Sequence, residues 1–147
     1  MKLFDKILFA TDFSENSDHA FDYALTLARQ FNAHLMVIHV INEPVDLRGF
    51  YVPHISFETL EKEIEEGAEK MMQKFCRTKT GDFTDYETLI VAGIPYEEIL
   101  RHAQEKNVSL IVLGTQGRKG IDHFLFGSTA ERVVRNASCP VMTVRMT

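Results

Sequence analysis

Residues 6–42 read KILFATDFSENSDHAFDYALTLARQFNAHLMVIHVIN: an apolar run, a polar turn, an amphipathic stretch and a second apolar run. Lys6 to Ala10 has the length and continuity of a strand buried on both faces. Ser14 suits an N-cap and Glu15 falls in the first turn, near the positive end of a helix. Ala20, Ala24, Leu27, Ala28 and Phe31 then recur on one side. His34 to Ile41, rich in Val and Ile, reads as a second strand. A strand, a crossover helix and another buried strand make a parallel pair, and the class is α/β.

The same alternation runs outward to the end of the chain. A long helix is predicted over Phe57 to Arg77, with Leu60, Ile64, Ala68, Met71, Met72 and Phe75 on one side. Tyr86 to Val91 is a third strand, and Pro95 suits the first residue of a helix that buries Ile99, Leu100 and Ala103. Leu110 to Leu113 is a fourth strand. Ser128 to Ala137 forms a helix with Ala130, Val133, Val134 and Ala137 inward, and Val141 to Val144 is a fifth strand. Asn42 to Ile55 carries Pro44, Gly49 and Pro53 without a clear period and is expected to be a loop. Five strands and four helices imply an open, doubly wound, Rossmann-like parallel sheet, with residues 1–147 as one domain. Ligands of such sheets bind at the carboxyl ends of strands, where the winding direction reverses. A reversal between the first and fourth strands places Ala10, Thr11 and Asp12 opposite Gly114.

Composition narrows the function classes. The net charge of −5 disfavours a nucleic-acid partner, since no local basic patch offsets it. No apolar run reaches membrane-spanning length and Met1 to Phe9 lacks a signal peptide's apolar core, so a cytoplasmic protein without a membrane partner is expected. Cys76 and Cys139 lack metal-ligand spacing and are expected to be reduced structural thiols. The six histidines are scattered, and His34 and His39 differ in parity along one strand, so no metal site is expected.

The fourth strand leads into GTQGRKGIDHFLFGSTAERV, with Gly114, Gly117 and Gly120 followed by Gly127, Ser128 and Thr129 at the start of a helix. Gly114 and Gly117 lack Cβ atoms, so the backbone can take positive φ and come close to a phosphate. The start of the last helix leaves about four N–H groups without internal partners and carries about half a positive charge. The Ser128 and Thr129 hydroxyls add donors, and Arg118 and Lys119 can neutralise phosphate charge. Glycines that merely make turns would explain any one position. The whole spacing, Gly-x2-Gly-x9-Gly-Ser/Thr, arises by chance in fewer than about 1% of chains this long at ordinary glycine usage, which favours a site. Neither a P-loop nor the first-strand dinucleotide fingerprint is present.

KILFATDFSENSDHAFDYAL, VIHVIN, LIVLGTQGRKGIDHFLFGSTAERVV and SCPVMTVR together resemble the universal stress protein family in its nucleotide-binding branch, over essentially the whole chain. The resemblance implies a sheet of order 3-2-1-4-5 and an ATP ligand, or ADP or AMP; the Asp12 carboxylate nearby would favour a divalent cation such as Mg2+ accompanying the phosphates. It puts Ala10, Thr11 and Asp12 at the adenine and ribose end, with Ala10 where many relatives have proline. Val40 is implied to read the adenine edge through its backbone, and Gly114, Gly117, Gly127, Ser128 and Thr129 to hold ribose and phosphates. It also implies a homodimer joined antiparallel through the fifth strand, Val141 to Val144; a nucleotide-dependent switch would further need an unidentified protein partner.

Three functions follow as expectations: a nucleotide-dependent stress-response switch or signalling dimer, a slow ATPase or autophosphorylating enzyme, and a nucleotide-free dimeric scaffold. The candidate bases for catalysis are Asp12, Asp122 and His123, none in a recognisable catalytic constellation, so the catalytic residues are unknown and binding ranks above catalysis. The glycine spacing argues against an empty scaffold.

Overall fold

The computed structural model describes residues 3–42, 57–116 and 127–146, without the side chain of Phe57. Along the chain run β1 (Lys6–Ala10), α1 (Glu15–Phe31), β2 (His34–Asn42), α2 (Phe57–Lys79), β3 (Tyr86–Gly93), α3 (Pro95–Glu105), β4 (Leu110–Gly114), α4 (Ser128–Asn136) and β5 (Val141–Val144). The expected loop between β2 and α2 falls almost wholly outside the described residues. The strands form one parallel sheet of order β3-β2-β1-β4-β5, the α/β arrangement expected.

Side chains alternate across the sheet with period two, and each face buries its own set. Ile7, Phe9, Leu35, Val37, Leu110, Val112 and Val144 meet α1 and α2. Leu8, Met36, Ile38, Ile111 and Leu113 meet Ile99 and Ala103 of α3 and Ala130 and Val133 of α4. The first face is knit by aromatic rings: Phe21 lies edge-on to Phe9 and Phe75, with centroids 5.2 and 5.0 Å away. Burial lifts the nearby Cys76 thiol to about 11, which keeps it protonated and inert at neutral pH.

The helix stripes depart from expectation at their margins. Ala20, Ala24 and Ala28 are buried in α1, but so is Phe21, whereas Phe31 is exposed and rests edge-on against Phe4. Met71 of α2 and Val134 of α4 were expected inward and are about half exposed. α1 faces both the sheet and α2, so it buries a wider arc than a single stripe describes. Pro95 opens α3 as expected, where its missing N–H deprives no helical bond. Among the described residues no helix is long and apolar enough to cross a membrane.

Candidate functional site

β1 pairs with β4 on one side and β2 on the other, so the chain leaves β1 toward one sheet edge and β4 toward the other. The winding therefore reverses between these two strands, as the sequence implied, and their carboxyl ends form the rims of a crevice. Ala10 closes β1 half-buried, and Gly114 closes β4. Gly114 does not use the positive φ expected of it. A Cβ there would come within 3.2 Å of the Asn16 carbonyl oxygen, so the missing side chain lets the first turn of α1 lie against the end of β4.

Thr11 to Ser17 are linked by a series of hydrogen bonds. The Thr11 N–H donates to the Ile38 carbonyl at 2.9 Å, and Thr11 Oγ1 accepts from the Phe13 N–H at 2.9 Å. Asp12 Oδ1 accepts from the Ser14 N–H at 3.0 Å and from Ser17 Oγ at 2.6 Å, while the Asp12 N–H donates to Ser17 Oγ at 3.1 Å. Ser14 caps the helix as expected, accepting from the Ser17 N–H. Asp12 thus anchors the start of α1 as well as standing at the crevice. Ser17 and Asn16 escaped the sequence reading. Ser17 sits three residues after the cap, where a capping box carries Glu or Gln, and its hydroxyl donates back to Asp12 while accepting from the Ser14 hydroxyl at 3.5 Å; that spacing was the available signal.

Val40 lies near the carboxyl end of β2, half-buried, two residues beyond the partner of Ala10. On the opposite rim the Thr115 N–H donates to Val144, and the Gly127 N–H donates to Thr115 at 2.6 Å, drawing the start of α4 to the end of β4. Gly127 is the N-cap in extended conformation and supplies no side chain to the first-turn amides. Ser128 is exposed and Thr129 half-buried. The fold therefore brings Ala10, Thr11, Asp12 and Gly114 to one crevice and ties Gly127, Ser128 and Thr129 to its β4 rim. Gly117 and Arg118, with Asp122 and His123, lie outside the described residues.

Two helices begin here, and electrostatics separates them. The start of α1 is crowded with carboxylates. Burial raises the pKa of Asp18, Lys79 opposes that, and Asp22, Asp12 and Glu15 push it further up. The start of α4 carries Glu131, which is exposed and paired with Arg135 at 2.7 Å. The acidic crowding makes the start of α1 the less favourable of the two helix starts for an anionic group. No three His, Cys, Asp or Glu side chains among the described residues come together to hold a metal ion.

The sequence profile described as the universal stress protein family matches residues 3–145. Universal stress protein YxiE of Bacillus subtilis is 35% identical over 148 residues, spanning 97% of this chain and 100% of its own. The structure of MJ0577 from Methanocaldococcus jannaschii, 28% identical, superposes with a TM-score of 0.85 over 99% of this chain and 98% of its own. A universal stress protein in complex with cAMP, 24% identical, shares the fold with a TM-score of 0.69 over 98% of each chain.

Proposed function

The chain belongs to the universal stress protein family, and from that membership we propose that it binds ATP, or ADP or AMP, and acts as a nucleotide-dependent stress-response switch or signalling dimer. One observation carries this reading: the reversal between β1 and β4 sets Thr11 and Asp12 across from a helix start whose cap has no side chain, drawn in by the bond from Gly127 to Thr115. The adenosine end lies against Thr11, Asp12 and the Val40 main chain. The phosphates lie at Gly114, Gly127, Ser128 and Thr129, joined by Gly117 and Arg118 of the intervening loop. The acidic crowding at α1 and the absence of a side-chain cap at α4 support that division. Mg2+ would accompany the phosphates, whose oxygens would supply most of its ligands.

The test is a thermal-shift panel of ATP, ADP, AMP, GTP and NAD, with and without Mg2+, on the parent and on Gly127→Val. A ligand at about 100 times its dissociation constant adds about 2.7 kcal/mol. The expected outcome is a shift with ATP, ADP or AMP, absent with GTP and NAD, and lost in Gly127→Val. Gly127 has φ −65° and ψ 153°, backbone angles that valine also adopts, and circular dichroism checks that the variant folds. An unchanged shift in the variant removes the phosphate assignment.

A further inference from the structure

β2 carries a buried histidine that the nucleotide reading leaves without a role. His39 is 4% exposed, on the face that meets α1 and α2, and its Nδ1 lies 2.8 Å from the Thr11 carbonyl oxygen. A carbonyl only accepts, so the proton sits on Nδ1. The ring packs against Phe13 with centroids 4.4 Å apart. Phe13 has a φ of 64°, a backbone conformation that a bulky residue keeps only where its surroundings hold it.

Thr11 is thereby held twice by the neighbouring strand, its N–H by the Ile38 carbonyl and its C=O by His39. Val40 is the next residue. Three consecutive positions of β2 therefore set the distance between the turn that carries Asp12 and the main chain of Val40. β1 ends at Ala10, so the Thr11 carbonyl lies beyond the sheet ladder. Were its donor lost, this buried acceptor would gain by rotating the peptide between Thr11 and Asp12, which would also break the bond from the Asp12 N–H to Ser17.

We propose that His39 is the positioning residue of the nucleotide site: its Nδ1–H clamps the Thr11 carbonyl and so fixes Thr11 and Asp12 opposite Val40 before the adenosine arrives. Preorganisation of this kind raises affinity by removing an ordering step from binding. The inference rests on the adenine-nucleotide reading.

The experiment is titration calorimetry with ATP on the parent, His39→Asn, His39→Gln and His39→Leu, with circular dichroism and unfolding midpoints measured alongside. The Asn amide nitrogen stands where Nδ1 stood, the Gln amide reaches one carbon too far, and Leu donates nothing. His39→Asn is expected within about threefold of the parent. His39→Gln and His39→Leu are expected to bind about tenfold more weakly, about 1.4 kcal/mol. A purely structural role would instead make affinity follow the unfolding midpoint. Equal binding by the Asn and Gln variants overturns the proposal, as does parental affinity in His39→Leu. Should His39→Leu fail to fold, the Asn and Gln pair decides. A parent that does not bind ATP overturns the nucleotide reading itself, an outcome distinct from a binding parent with indifferent variants.

Discussion

Arg101 Nη2 lies 3.3 Å from His102 Nε2, and a guanidinium only donates, so the His102 proton sits on Nδ1, which is buried and has no partner among the described residues. Burial lowers the His102 pKa from the ordinary value of 6.5, Arg101 and Lys106 act in the same direction, and Glu98 and Glu105 oppose them. The unfolded chain then takes up this proton at a higher pH than the folded one. Stability is fully present above about pH 6.5 and is lost as the pH falls from there toward the folded pKa. Urea midpoints measured between pH 7.5 and 5 should fall on the acid side. In His102→Leu that fall should be smaller, with stability at pH 7.5 unchanged or raised by up to about 1 kcal/mol because an unpartnered polar atom is gone. An acid loss identical in the variant would assign it to other groups. Such a residue is illegible in the sequence, since its neutrality comes from packing. Gly114 is a partial case: the glycine was legible, but its reason, the Asn16 carbonyl pressed against it, belongs to a contact across the fold.

α1 shows how far local chemistry reaches. Ser14 was identified from its type and place because an N-cap bonds only to its own first turn, and the structure has that bond. Ser14→Ala should therefore cost about 1 kcal/mol of stability, read as a lower denaturant midpoint with unchanged slope. An unchanged midpoint would mean that Asp12 and Ser17 hold the helix start by themselves. Phe21 was not identified, although it is fully buried, because the expected stripe ran through Ala20, Ala24, Leu27, Ala28 and Phe31 and left it out. What buries Phe21 is the pair of rings Phe9 and Phe75, distant in sequence and on two other elements.

Across the whole molecule, the alternation of strand and helix patterns gave the class and the number of elements, while the order of the strands came from the resemblance to a family. The site was half legible. Its rims follow from topology, and the loop between them includes residues 117–126, outside the described residues. The edge position of β5 has the strongest consequence for assembly: Val141, Met142 and Thr143 are half-buried on a strand whose partner among the described residues is β4. We expect a homodimer joined there, with sedimentation equilibrium at micromolar concentration giving twice 16.8 kDa; a mass of one chain would remove the dimer. The placement of β1 beside β4 also bears on synthesis. Lys6 bonds to Ser109, 103 positions later, and the last helix follows still further on. A nascent chain on the ribosome therefore has no crevice while only β1 to β3 have emerged, and whatever the crevice comes to hold cannot steady the folding of that first half.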